Sequence, residues 1–215
     1  DAEQPFNIDN IKLICNGEIY NFKQLYKVLG VEPNSSSDCE VIIHMYKKYG
    51  IEQTLQMLDG VFAFILLDFN TNQIFVARDT YGIRPLFFNV SEYYSNENGT
   101  LTTYAFASEL KSIDVFDGDT CEIKQFEPGC CSVFTLNPVE NRQKIKYMKT
   151  FVFARPDGFS NLTDDTPYEK VLENVFSHLE QAVIKRVDNT ERDIACLLSG
   201  GLDSSIICAL VKKHH

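Results

Sequence analysis

The sequence predicts an α+β layered fold, and three neighbouring patterns carry that expectation. Residues 61–68 form an unbroken apolar run ending at a turn, the mark of a strand buried on both faces. Residues 73–78 follow as a second strand, with Asn70-Thr71-Asn72 as the hairpin turn between them. Residues 38–49 place Val41, Ile42, Met45, Tyr46 and Tyr49 near helical spacing and close on Gly50. Strands adjacent in sequence and flanked by helices read as α+β.

The remaining elements follow along the chain. Residues 11–15 are a short apolar strand, and residues 51–58 a second short helix. Residues 91–100 are polar and rich in Asn, so they read as a loop ahead of a strand at 102–107. Residues 1–155 form the first domain and 156–166 a linker rich in Pro, Gly and Asp. In the second domain, 167–215, Thr166-Pro167-Tyr168-Glu169 is a capping box with Pro at the first helical position. Val171, Leu172, Val175, Phe176, Leu179 and Val183 give the helix behind it an apolar stripe. Residues 194–198 read as a buried strand and 206–211 as a helix. One helix, one strand and one helix cannot close a doubly wound sheet, so only the entrance of a second domain is expected.

Between that strand and helix lies Leu197-Leu198-Ser199-Gly200-Gly201-Leu202-Asp203-Ser204-Ser205. A strand, a glycine turn and a helix N-terminus present backbone N–H groups and a positive dipole end to an anion. Gly200 and Gly201 permit close backbone approach to phosphate, and Ser199, Ser204 and Ser205 add hydroxyl donors. Asp203 repels phosphate by itself and makes sense as a ligand for Mg²⁺ carried by the phosphates. The Gly-Lys-Ser/Thr ending of a Walker loop is absent from the chain. Residues 198–205 resemble the pyrophosphate loop of ATP pyrophosphatases, which implies ATP and Mg²⁺ as the species bound.

Composition sets the outer bounds. A net charge of −10 over 215 residues argues against nucleic-acid phosphate as a partner. No apolar run approaches the roughly 18 residues of a membrane span. Seven cysteines without a framework pattern favour a reducing compartment, hence a cytoplasmic protein, and the sequons at Asn34, Asn98 and Asn161 read as chance there. Cys15, Cys196 and Cys208 sit in apolar runs and are expected to be buried and inert. No metal-ligand spacing links the cysteines with the four histidines, and His44 and His178 read as structural or surface residues.

Cys15-Asn16-Gly17-Glu18 admits two readings. Asn-Gly is a strong hairpin-turn signal. The Asn16 amide and the Gly17 N–H are also two adjacent donors of the kind an amide-hydrolysis oxyanion needs. Asp38 likewise reads as a helix N-cap ahead of Val41, or with Glu18 as an acceptor for an α-ammonium group. These segments, with Leu58-Asp59-Gly60-Val61-Phe62 and Arg78-Asp79-Thr80-Tyr81-Gly82-Ile83-Arg84-Pro85-Leu86, resemble the glutaminase domain of class II glutamine amidotransferases. They are most similar to animal-type, glutamine-hydrolysing asparagine synthetases. The resemblance covers most of 1–113, thins over 114–165 and resumes at about 166–211.

The resemblance implies a four-layer αββα N-terminal-nucleophile hydrolase sandwich followed by the start of an ATP-pyrophosphatase domain. It implies ATP-dependent amidation of aspartate through β-aspartyl-AMP with glutamine-derived ammonia, releasing AMP, pyrophosphate and glutamate. Glutamine, aspartate and ATP are then the substrates, and a homodimer is allowed at full length. It assigns Asn16 and Gly17 to the oxyanion, and both of these with Glu18 and Asp38 to glutamine. The β-lactam synthetases share this plan without a working glutaminase half, so an intact Asn16-Gly17-Glu18 with Asp38 favours the asparagine enzyme. Amidophosphoribosyltransferase lacks the 199–205 loop. A non-catalytic binding or regulatory fragment is the alternative from another class, because the family's nucleophile is an N-terminal cysteine whose α-amine is the base. This sequence starts at Asp1, which reads as an internal fragment lacking that cysteine and the arginine-bearing segment upstream of Gln4-Pro5. The 215-residue chain is therefore expected not to hydrolyse glutamine; glutamate release above a protein-free blank, abolished by cysteine alkylation, would overturn this.

Overall fold

Alternating burial along each strand divides the first part of the molecule into layers. The computed structural model describes residues 3–95, 99–113, 120–139, 142–155, 163, 165–190 and 193–215. Two compact units emerge, Asp1–Asp157 and Gly158–His215. The first contains β1 (Phe6–Ile8), β2 (Ile11–Ile19), α1 (Phe22–Leu29), α2 (Val41–Met57), β3 (Gly60–Asp68) and β4 (Gln73–Arg78). It continues with β5 (Phe87–Ser95), β6 (Gly99–Ala107), β7 (Thr120–Gln125), β8 (Cys130–Val139) and β9 (Arg142–Val152). A six-stranded sheet runs in the order β1-β2-β3-β4-β8-β9, and a three-stranded sheet in the order β6-β5-β7. Every pairing is antiparallel.

β3 is the central layer's middle strand, and its period of two sorts its side chains between two cores. Phe62, Phe64 and Leu66 join Leu13, Phe75, Ala77 and Val133 against Leu25 of α1 and Ile42 and Met45 of α2. Ala63, with Val76 and Phe134, faces Leu86 and Phe126, where Phe88, Tyr104 and Phe106 of the small sheet pack. The expected α+β class holds, and of the αββα layers the described residues of this unit supply helix, sheet and sheet. On the far face of the small sheet, buried Asn89 donates to the Ile113 carbonyl at 3.0 Å, so the 110–113 turn covers that face.

Several local expectations need correction. The strand expected at 11–15 runs on to Ile19, and Asn16-Gly17 lies inside it opposite Ala63 and Phe62, which removes the hairpin-turn reading. The two helices expected at 38–49 and 51–58 are consecutive parts of α2, broken at Gly50, with a 3-10 turn at Asp38–Glu40 in front. Residues 91–95 are strand, because polar side chains there are satisfied within the sheet: Ser91 donates to Asn89 Oδ1 at 2.8 Å and the Cys121 thiol donates to the same oxygen at 3.4 Å.

In the second unit, α3 (Tyr168–Asn189) and α4 (Leu202–His214) share a small core of Val183, Val187 and Leu210. The capping box does not form. Pro167 is the N-cap, and Thr166 Oγ1 accepts from the Thr163 N–H at 2.9 Å rather than from the helix. Residues 194–198 make no ladder, and Leu197 and Leu198 are exposed, because a lone parallel strand has no neighbour to pair with. Cys196 is exposed and Cys208 half-exposed, contrary to the expectation that both are buried. Much of the linker expected at 156–166, with the Asn161 sequon, lies outside the described residues. Among the described residues no helix is long and apolar enough to cross a membrane.

Among the described residues, three buried side chains in the second unit against more than twenty in one cluster of the first set an order of stability. Amides of 202–213 should exchange with solvent well before those of 61–68. Equal protection of the two segments, measured by hydrogen exchange, would contradict this.

Candidate functional site

β2 has one edge on β3, and its other edge is served by three different partners. The β1 register pairs Phe6 with Leu13, and its continuation would put Gln4 opposite Cys15. Pro5 has no N–H to extend the ladder, and the Gln4 side chain does so instead. Its Oε1 accepts from the Cys15 N–H at 2.7 Å, and its Nε2 donates to the Cys15 carbonyl at 2.9 Å. Four residues on, the Ile19 N–H donates to Asp38 Oδ2 at 2.5 Å.

Gly17 lies between these two capped positions. Its β3 partner Phe62 turns both backbone groups the other way: Phe62 N–H donates to Asp79 Oδ2 and its carbonyl accepts from the Asp79 N–H. The Gly17 N–H therefore points to the same edge as those of Cys15 and Ile19. Among the described residues nothing accepts from it, while the Gly17 carbonyl accepts from the Cys39 thiol at 3.5 Å. A side chain at Gly17 would press on the Val61 carbonyl and come within 2.8 Å of the Phe62 Cα.

The even-numbered side chains of β2 lie on the opposite face from Cys15. Asn16 Nδ2 donates to Ser108 Oγ at 3.2 Å, and Glu18 Oε1 meets the Arg84 guanidinium at 3.2 Å. Asn16 and Ser108 line a cleft of about 220 Å³ floored by Ala63, Ile65, Leu86 and Phe106. Arg84 is set by a backbone knot next to it. Buried Asp79 accepts the N–H groups of Phe62, Tyr81, Ile83 and Arg84 at 3.0–3.2 Å. Arg78 donates to the carbonyls of Gly82, Arg84 and Phe126 at 2.6–2.8 Å.

The structure thus brings Asn16, Gly17, Glu18 and Asp38 to one end of β2. Asp38 opens the 3-10 turn but is not its cap; Ser37 fills that place, its hydroxyl accepting from the Cys39 N–H. Ser108 and Arg84 join the cluster from β6's end and the 79–86 turn, and sequence reading missed both roles. Arg84 sits in a quoted motif, whereas nothing local marks Ser108. The Cys39 hydrogen bond and burial push the Cys15 thiol well up, and burial pushes Cys131 up to about 12.

In the second unit, Gly200 is left-handed at φ 85°, with open space where a side chain would stand. Leu198, Leu202 and Asp203 are exposed, and Asp203 lies in the first turn of α4. Ser204 and Ser205 hydroxyls donate to the Gly201 carbonyl at 3.0 and 2.8 Å, and the Ser199 and Ser204 hydroxyls lie 3.0 Å apart. No cluster of three or more His, Cys, Asp or Glu side chains occurs among the described residues, so a metal held here would depend on other oxygen donors.

A family model described as a glutamine amidotransferase domain matches residues 1–148, and one described as asparagine synthase matches 174–215. Curated relatives called asparagine synthetase [glutamine-hydrolyzing] are 41% identical in Gallus gallus and 39% in Homo sapiens, each over 207 residues. Both alignments cover 94% of this chain and 36% of the relative, so the chain spans about a third of their length. A solved "structure of the allosteric regulatory enzyme of purine biosynthesis" is 28% identical with a TM-score of 0.47, over 67% of this chain and 30% of that one.

Gly17→Ala places a methyl group against the β3 backbone. It should lower stability by about 1–3 kcal/mol, as overpacking in a dense interior does. An unchanged urea midpoint by circular dichroism would show that β2 and β3 can part without cost.

Proposed function

We propose a function from the premise that this chain belongs to the glutamine amidotransferase domain family: it is part of a glutamine-hydrolysing asparagine synthetase. The Gly17 N–H, which has no acceptor among the described residues, supports this best together with the neighbouring Asn16 amide. Hydrolysis of the glutamine side-chain amide passes through a tetrahedral oxyanion, and two donors on adjacent residues, one of them lining a cleft, suit that charge. Asp38 and Glu18 would accept the substrate's α-ammonium. Each already holds one protein donor, Ile19 N–H and Arg84 respectively, so neither carboxylate has to be ordered when substrate arrives. The nucleophile is the family's N-terminal cysteine; the raised Cys15 thiol does not fit that role.

The ammonia released would be consumed where ATP has activated aspartate as β-aspartyl-AMP, giving asparagine, AMP and pyrophosphate. Residues 198–205 would hold the pyrophosphate. Gly200 leaves its backbone open, the α4 N-terminus contributes its dipole, and the Ser204 and Ser205 hydroxyls can turn from the Gly201 carbonyl, and that of Ser199 from Ser204, toward phosphate oxygens. An exposed single carboxylate, Asp203, fits a Mg²⁺ that keeps waters and phosphate oxygens as its other ligands. Mg²⁺ would neutralise charge on the departing pyrophosphate. Free thiols at all seven cysteines suit a cytoplasmic setting.

The test uses the full-length protein. Asn16→Ala should lower glutaminase turnover by about 10²–10³, the usual loss for one oxyanion donor. Asp38→Asn, which keeps an acceptor for Ile19, should mainly raise KM for glutamine. Asp203→Ala should abolish pyrophosphate release with glutamine hydrolysis intact. Undiminished turnover in Asn16→Ala would refute the oxyanion assignment, and undiminished pyrophosphate release in Asp203→Ala the assignment of the loop.

A further inference from the structure

We propose that Ser108 is a positioning residue that holds the Asn16 amide in place for the oxyanion; the inference rests on the glutaminase reading above. An asparagine on an open strand face can swing about two torsions, and a donor that must be ordered during the reaction loses much of its value. Asn16 has one side-chain partner among those described, the Ser108 hydroxyl at 3.2 Å, and both residues line the same cleft. That contact fixes the amide's location. It uses one of the two N–H groups on Nδ2 and leaves the other for a ligand. A serine hydroxyl can accept or donate, so the charge of the oxyanion, and not Ser108, selects the face of the amide that presents N–H.

Ser108 is placed by the end of a paired strand. It follows directly on Ala107, the last residue of β6, which pairs with Phe87 of β5. Ala107 and Phe106 also line the cleft. The hydroxyl is therefore delivered by the small sheet to a side chain on the large sheet. No step in the chemistry uses the Ser108 hydroxyl, so its effect must pass through Asn16.

Full-length protein carrying Ser108→Ala should lose roughly fivefold to tenfold in kcat for glutamine hydrolysis, the equivalent of one hydrogen bond. KM should stay within about twofold, because ground-state binding is untouched. Ser108→Thr, which keeps the hydroxyl, should restore most of the turnover. The deciding measurement is the double mutant. Once Asn16 is alanine, adding Ser108→Ala should cost nothing further, since residues acting through one another are not additive. A loss of kcat of the same size in both backgrounds would mean that Ser108 acts independently of Asn16. An unchanged kcat in Ser108→Ala would remove the role altogether. If Asn16→Ala itself leaves kcat unchanged, the glutaminase assignment has failed instead, so the two failures are distinguishable. Thermal midpoints of the single mutants should match the parent, and a parallel fall in midpoint and kcat would mark Ser108 as merely structural.

Discussion

The buried carboxylate of Asp79 organises the first unit. Its two oxygens accept four backbone N–H groups, one from β3 and three from the turn that follows β4. A buried anion is stabilised when dipoles surround it, and this ring of N–H groups is such an environment. The turn is held open by the same means from the other sign of charge, with the Arg78 guanidinium on three carbonyls. Adjacent residues of opposite charge thus direct their hydrogen bonds to the backbone. Two consequences reach the site. Phe62 is engaged on the β4 side, which turns Gly17 outward, and Arg84 is anchored where it can reach Glu18.

Where burial is two-sided, the sequence announces it. β3 is legible because Phe62, Phe64 and Leu66 serve one core while Ala63 serves the other, so that residues 61–67 are all apolar. In the small sheet the strand expected at 102–107 is present as part of β6, whereas β5 is illegible for the opposite reason. Asn89 and Ser91 are buried in β5, but their hydrogen bonds are completed by Ile113 and each other, so polarity there signals a satisfied strand face and not a loop. β9 alternates Lys144 and Lys146 with Ile145 and Tyr147 at the sheet edge, where lysine is tolerated and even protective. The 194–198 segment shows the limit of local pattern. It reads as a buried strand because its residues suit one, yet pairing is a property of neighbours.

The candidate site divides in the same way. Asn16, Gly17, Glu18 and Asp38 entered through family resemblance, since Asn-Gly taken alone reads as a turn. Their supports come from far along the chain, Ser108 from 92 residues away and Arg84 from 66, and no spacing rule spans such distances. The Gly17 N–H is legible only from sheet register, because its availability depends on which way Phe62 faces.

The Gln4 side chain changes how the exposed margin of β2 behaves toward other molecules. A free strand edge is a template on which a second polypeptide can zip up, and long ones drive self-assembly. Here the edge beyond β1 is occupied at Cys15 by a side-chain amide and at Ile19 by a carboxylate, leaving a gap one peptide wide at Gly17. On either side the nearest outward N–H is about 7 Å away and already taken. An arriving chain would find a single point of attachment and no run to extend, so the margin can admit one acceptor atom while remaining closed to strand exchange and fibril growth.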